Sequence, residues 1–337
     1  MRFIASLFYC IGVGLRNFLY DEKILRSARV NIPTICIGNL AVGGTGKTPH
    51  TELLAKELSK KYKVGILSLG YKRKSRGFRL ADEKATADII GDEPMQMHLN
   101  LPNVVVAVCK DRVQGIHKLQ QLYPDLQLIL LDDAFQYRKL KCDINILLTN
   151  KDNLYINDHL LPRGTLRDQK HQSLRADIVV VSNCEPAMKP IDRRLIKTRL
   201  RMPSYQQLFF SEQHYAKLKA AEPKAKHKPI SKPLVVCGIA NPNNMIEYVK
   251  QLYPEAQILK LKDHQPYGNN IVKRISNICQ SQDCDAIITT NKDLVKLQNN
   301  DYFRPLLPKT WYLPIEINIL KKDELMSIIT NKISRHI

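Results

Sequence analysis

Acidic residues are scarce. Asp and Glu number 32 against 52 Lys and Arg in 337 residues, a formal charge of +20. So large an excess implies an anionic partner: nucleic acid, an anionic membrane surface or a phosphorylated substrate. Paired cysteines are missing as well. The eight, at 10, 36, 109, 142, 184, 237, 279 and 284, contain no C-x-x-C, which argues against a zinc site. Several sit in apolar runs, as reduced core residues of a cytosolic protein do. The apolar stretch 4–15 has twelve residues, too few for a bilayer span of about 20. No small-residue cleavage site follows promptly, which argues against a signal peptide. Long repeats and low-complexity tracts are also absent.

What is present is the composition of a soluble globular chain, 44% hydrophobic and 25% charged, long enough for about two domains. Ile4, Leu7, Phe8, Ile11, Leu15, Phe18 and Leu19 fall on one helical face, and basic residues follow at Arg16, Lys23, Arg26 and Arg29. Such a helix suits a membrane interface, or it packs on its own domain; the pattern alone leaves both open.

The chain is organised around residues 38–49. A short β-branched run at 34–37 precedes Gly38-Asn39-Leu40-Ala41-Val42-Gly43-Gly44-Thr45-Gly46-Lys47-Thr48-Pro49, and helical periodicity follows to 58. Strand, glycine-rich loop and helix form the setting of a phosphate-binding loop. Backbone N–H groups of Ala41 through Gly46 would surround phosphate oxygens, Lys47 would reach the outer phosphates, and the Thr48 hydroxyl would bind Mg²⁺. The motif G-x-x-x-x-G-K-[ST] asks for Gly where this chain has Ala41; Gly43 and Gly44 are expected to do the turning.

A second apolar strand, 126–131, ends in Asp132 and Asp133. Acids in that place hold Mg²⁺ in phosphate-loop proteins, directly or through water. A basic loop, 70–77, follows another strand, Asp92 lies near the start of a helix expected at 95–99, and Arg167 lies in the loop 161–168. Alternating strands and helices to about 205 make an α/β domain with a mainly parallel sheet. Residues 206–232 lose periodicity and read as a linker with a possible short strand at 207–210. Strand and helix patterns resume at 233 and make a second, smaller α/β domain to 337.

Taken in order, the loop at 38–49, Gly70-Tyr71…Ser75-Arg76-Gly77, Gly91-Asp92-Glu93-Pro94, Asp132-Asp133-Ala134-Phe135-Gln136, Leu161-Pro162-x-Gly164-x-Leu166-Arg167, Asp263-His264 and Thr290-Asn291-Lys292-Asp293 resemble the tetraacyldisaccharide 4′-kinases of Gram-negative bacteria over nearly the whole chain. The resemblance implies transfer of the ATP γ-phosphate, with Mg²⁺, to the 4′-hydroxyl of a tetraacylated glucosamine disaccharide 1-phosphate. It also implies a phosphate-loop kinase domain, 26–205, a smaller lobe, a β-stranded linker, and an N-terminal helix, 1–25, on the cytoplasmic face of the inner membrane. By position, Lys47 and Thr48 handle phosphates and Mg²⁺, and Asp132 and Asp133 match the acidic pair tied to metal and catalysis. Asp92 matches the proposed base, His264 the histidine that pairs with it, and Arg167 the arginine near the transferred phosphate. Tyr71 and Arg76 belong to the substrate side. The chain departs from the family pattern at Leu69, Asp168 and Gln265, where Arg, Glu and a second His are usual.

Two other readings compete. Another phosphate-loop protein, such as a metal-centre maturation GTPase or a small-molecule ligase, shares the loop, but Asn291-Lys292-Asp293 lacks the intervening residue of a guanine-reading Asn-Lys-x-Asp. A basic nucleic-acid-binding protein shares the charge, but no zinc-finger spacing or aromatic RNA-binding signature is present. The expectation is therefore a monomeric lipid kinase with no nucleic-acid partner.

Overall fold

The computed structural model describes residues 2–225, 228–239, 241–263 and 265–335. The chain opens with α1 (Arg2–Asp21), β1 (Thr34–Asn39), α2 (Lys47–Leu58), β2 (Val64–Ser68), β3 (Arg79–Leu80), α3 (Ala87–Ile90) and α4 (Asp92–Asn100). It continues through β4 (Val105–Val108), α5 (Arg112–Leu122), β5 (Leu128–Asp132), β6 (Ile144–Asn150), β7 (Ile178–Cys184), α6 (Pro190–Leu200), β8 (Gln207–Tyr215), β9 (Lys219–Ala220) and β10 (Pro233–Cys237). The last part holds α7 (Asn243–Leu252), β11 (Gln257–Lys260), α8 (Asn269–Ser281), β12 (Ala286–Thr290), α9 (Asn291–Gln298), β13 (Thr310–Leu313), β14 (Ile315–Ile319) and α10 (Lys322–Ile333).

Nine strands form the larger sheet, in the order β14-β8-β7-β6-β1-β5-β2-β4-β3. Its seven inner strands run parallel, and β14 and β3 close the edges antiparallel. Strands β1, β2 and β5 are buried at every position, as continuous apolar runs are when helices cover both faces of a parallel sheet. One face packs Leu54 of α2, Met97 of α4 and Leu325 of α10; the other packs Ile116 of α5, Ile196 of α6 and Phe135. The chain leaves β1 towards β2 on one side and crosses from β5 to β6 on the other. That reversal opens a crevice at the carboxyl ends of β1, β5 and β6, where ligands bind in such sheets.

The smaller sheet runs β11-β10-β12-β13-β9, with β9 antiparallel and the rest parallel. Two strands join the lobes. β8 leaves the larger sheet and β14 returns to it, paired Ile315↔Tyr215 through Ile319↔Ser211.

This return corrects two boundaries. Residues 207–215 are a full strand of the larger sheet rather than part of a linker. Residues 315–333 belong to the larger lobe, not to the smaller one, because Ile317, Ile319, Leu325, Ile329 and Ile333 pack in its core. A single strand pattern across 310–317 hid the switch. Pro314 has no N–H to give a ladder, so the run breaks into β13 and β14 in different sheets. The helix expected at 95–99 begins earlier, with Asp92 in its first turn.

Helix α1 inverts the usual amphipathic arrangement. Its polar residues face the protein: Ser6 donates to the Leu160 carbonyl at 2.9 Å, Tyr9 to the Arg167 carbonyl at 2.9 Å, and Asn17 to Asp168 Oδ1 at 2.7 Å. Its apolar residues Phe3, Ile4, Leu7, Phe8, Ile11, Leu15 and Phe18 are all more than half exposed.

Candidate active site

The loop between β1 and α2 is held by its neighbours. The Val42 N–H donates to the Thr165 carbonyl and the Arg167 N–H to the Leu40 carbonyl, both at 2.7 Å. Ala41 bridges Leu166. Gly43 and Gly46 take positive φ, 109° and 78°, while Ala41 and Gly44 do not. The loop therefore turns at 43 and 46, and Ala41 sits where no glycine is required. At Gly38 the constraint is space: a Cβ there would lie 2.6 Å from Phe135 Cβ and 2.9 Å from its backbone nitrogen. Helix α2 begins at Lys47, so its unpaired N–H groups point at the loop.

Buried Asn39 is the hub. Its amide donates to Thr45 Oγ1 at 2.8 Å, and its Oδ1 accepts from Lys47 Nζ at 3.4 Å and from Arg167 Nη2 at 2.5 Å. Arg167 also grips Asp133 at two points, Nη1 to Oδ2 at 3.1 Å and Nη2 to Oδ1 at 2.7 Å. Lys47 Nζ stands 3.9 Å from the same carboxylate. Among the described residues, the buried Arg167 Nε has no hydrogen-bond partner. Gln136 donates to the Asn39 carbonyl at 2.5 Å, and Arg16 of α1 donates to the Gln136 carbonyl at 2.5 Å.

The two acids have opposite environments. Asp132 ends β5 opposite Ile37 and is buried, accepting from Thr51 at 3.1 Å and Ser68 at 3.3 Å. Burial, with the charges of Glu93 and Asp133, pushes its carboxyl up to about 7. Burial acts on Asp133 in the same direction, but the Arg167 hydrogen bonds and the Lys47 charge outweigh it and hold this carboxyl below the usual range.

Asp92 lies in the first turn of α4, next to Glu93, whose charge acts on Asp132. The loop of Asp92 packs on the basic loop: a Cβ at Gly91 would meet Gly70 Cα and the Tyr71 carbonyl, each at 3.2 Å. From the smaller lobe, Lys296 of α9 places Nζ 3.2 Å from Asp92 Oδ2. Lys292 of α9 lies 4.0 Å from Glu93 and 3.6 Å from Asp263. His264 lies outside the described residues. Tyr71 is exposed, with Lys72 Nζ 5.6 Å from its ring centre. Arg76 is exposed at the loop tip. Of the other cations of that loop, Arg73 is used by the Gly77 carbonyl at 2.6 Å and Lys74 by Asp88 at 2.7 Å, so the charge run is partly structural.

Sequence reasoning passed over several of these groups. His50 is buried four residues after Gly46, with Nδ1 2.7 Å from the Gly46 carbonyl and Nε2 2.8 Å from Ser211 Oγ of β8. Burial lowers its pKa to about 4, so the ring is neutral. The i+4 spacing from a loop glycine was its sequence signal. Thr51, Ser68 and Lys296 left none beyond their place on an element.

A family model described as tetraacyldisaccharide-1-P 4′-kinase matches residues 2–334. The chain belongs to this family. It is 40% identical over 350 residues to the tetraacyldisaccharide 4′-kinase of Bacteroides thetaiotaomicron, covering 99% of this chain and 90% of that protein. Against the enzyme of Flavobacterium johnsoniae it is 39% identical over 330 residues, covering 96% and 93%. A crystal structure of LpxK from Aquifex aeolicus in complex with ATP superposes with a TM-score of 0.76 at 27% identity, covering 98% of each chain. The chain is thus a phosphate-loop kinase for ATP-dependent 4′-phosphorylation in lipid A biosynthesis. Its cofactors are ATP and Mg²⁺. The residues at hand suit both. Buried Arg167 Nε and the α2 N-terminus offer unpaired donors to phosphate. Thr48, Asp132 and Asp133 offer hard oxygens of the kind Mg²⁺ takes one or two of, beside phosphate and water.

Proposed function

We propose that Asp92 is the base for the sugar 4′-hydroxyl, and that Lys47 and Arg167 neutralise charge on the transferred phosphoryl group. The observation that carries this reading is the placement of Asn39, Lys47, Arg167 and Asp133 in one bonded cluster under the phosphate loop, while Glu93, next to Asp92 in the first turn of α4, is near enough for its charge to act on Asp132. Asp92 takes the hydroxyl proton as the sugar oxygen bonds the γ-phosphorus and the bond to the ADP oxygen breaks. Phosphoryl transfer needs positioning and charge neutralisation more than covalent help from the protein. Thr48 and Asp132 would hold Mg²⁺, which would supply charge neutralisation when bound. The raised carboxyl of Asp132 is the one a cation would most favour ionising, whereas Asp133 is already neutralised by Arg167 and Lys47.

The membrane belongs to the same reading. Seven large apolar side chains of α1 point away from the lobe while Ser6, Tyr9 and Asn17 fix the other face to it. A helix bound along its length to a soluble lobe lies in an interface rather than crossing it. Burying each exposed Phe or Leu contributes about 1.5–3 kcal/mol, and the net positive charge of the chain favours an anionic surface. The acylated disaccharide 1-phosphate is presented from that surface, on the cytoplasmic face of the inner membrane, to a monomeric enzyme.

The test is transfer of label from γ-labelled ATP, with Mg²⁺, to the disaccharide 1-phosphate lipid in detergent. Asp92→Asn is expected to lower kcat by about 10²–10⁴-fold, with KM for ATP within about twofold of wild type. Unchanged turnover would remove Asp92 from the role of base. Leu7→Asp with Phe8→Asp should release the protein from anionic vesicles in a flotation assay; flotation equal to wild type would refute the membrane face.

A further inference from the structure

Helix α9 of the smaller lobe carries a buried lysine that neither the phosphate loop nor the metal ligands explain. Lys296 is only 9% exposed, and among the described residues its Nζ has no hydrogen-bond partner. It lies between two carboxylates, 3.2 Å from Asp92 Oδ2 of the larger lobe and 3.6 Å from Asp293 Oδ1 of its own helix. Its Nζ is also 5.7 Å from the Tyr267 ring centre.

The Asp293 end is fixed. Asp293 is fully buried, and its Oδ2 accepts from the Gly238 N–H and the Thr290 hydroxyl, each at 2.8 Å. Asp293 is thereby tied to the carboxyl ends of β10 and β12, the central strands of the smaller sheet. The remaining oxygen, Oδ1, lies 3.6 Å from Lys296 Nζ, with the Tyr267 phenol also beside Asp293. A buried ammonium is costly unless anions compensate it, and breaking one partner of such a set is strongly destabilising to the geometry it holds. The other compensating anion belongs to the opposite lobe.

We propose that Lys296 is a positioning residue for catalysis: a strut from the smaller lobe, anchored on Asp293, that sets the orientation of the Asp92 carboxylate. The inference rests on the reading of Asp92 as the base. Lys292, the other cation of α9 at this contact, is directed to Glu93 and Asp263. Sequence spacing agrees: Lys296 follows Asp293 by three residues and Lys292 by four, so all three lie on one side of α9. The interlobe contact is polar elsewhere too, Asn291 donating to Asn100 of α4 at 3.1 Å. The rigid placement of Asp92 therefore requires both lobes, and the smaller lobe takes part in the chemistry through Lys296 without touching phosphate.

The test is a functional double-mutant cycle in the label-transfer assay, using the full chain. Lys296→Met is expected to lower kcat by about 10–100-fold while KM for ATP stays within about twofold, because a small misplacement of a reacting group costs that much. Lys296→Arg should recover most of the loss, since it keeps the cation. In an Asp92→Asn background, Lys296→Met should cost no more than about twofold further, because the group it positions is gone. Lys296→Gln, polar and similar in length, serves in place of Met if the Met variant does not fold, with thermal unfolding as the check. Equal losses from Lys296→Met in both backgrounds, or a Lys296→Met enzyme with wild-type kcat, would overturn the proposal. Wild-type turnover in Asp92→Asn alone would instead overturn the base assignment on which it stands.

Discussion

Lowering the pH should loosen the phosphate loop through one residue. His50 is buried between the Gly46 carbonyl and Ser211, and its pKa is lowered to about 4. In the unfolded chain it titrates near 6.5. At pH 7.5 neither state binds the proton, so the group has no linkage effect. As pH falls through 6.5 the unfolded state takes a proton that the native state refuses until about 4, so stability falls with pH. The full difference of about 2.5 units corresponds to about 3 kcal/mol, of which about 2 kcal/mol is lost by pH 5. Urea unfolding of wild type and His50→Gln, followed by far-ultraviolet circular dichroism between pH 7.5 and 5, measures this. The variant is less stable at pH 7.5, because it loses the ring packing and a bond to Gly46 or Ser211. The gap should shrink by about 2 kcal/mol at pH 5, since only wild type must keep an imidazole neutral. A gap that stays constant across this range would show that His50 is protonated in place, and would refute the neutral bridge between loop and β8.

Two further outcomes follow from the geometry. Gly38→Ala puts a methyl 2.6 Å from Phe135 Cβ and against backbone, so it should cost about 1–3 kcal/mol in urea unfolding and weaken ATP binding measured by calorimetry. Arg167→Lys keeps the charge but not the two-point grip on Asp133 or the bond to Asn39. It should therefore lower kcat by about 10²–10³-fold in the label-transfer assay, and a lysine variant within about fivefold of wild type would contradict the fork geometry.

Much of the site was legible in the sequence because its chemistry is local. The phosphate loop needs glycine turns, a lysine and a hydroxyl within a few residues, and Gly43, Gly46, Lys47 and Thr48 supply them on one strand–helix junction. Asp132 and Asp133 showed themselves as acids at the end of an apolar strand. What stayed hidden depends on distant partners. That Asp132 is enclosed by Thr51 and Ser68 while Asp133 is held by Arg167 follows from chain positions up to 81 residues apart. Asp132 is the last residue of β5, whereas Asp133 follows it with φ 46°, in the left-handed region, so the two identical side chains meet opposite environments. The domain boundary failed for the same kind of reason. Residues 315–319 alternate like any strand, and which sheet they join was decided by pairing with β8.

The amino-acid sequence by itself determined the local devices: a loop that binds phosphate, an apolar strip on α1, an excess of cations, and strands apolar enough to be buried on both faces. Those follow from spacing and side-chain type, which a linear chain carries. Tertiary structure alone decided which way α1 faces, since Ser6, Tyr9 and Asn17 found acceptors on the segment 160–168 and left the apolar strip outside. It also decided that the last helix belongs with the first domain, and that a lysine of the smaller lobe meets Asp92. These contacts join residues far apart in the chain, and their energies exist only once the tertiary structure brings those residues together.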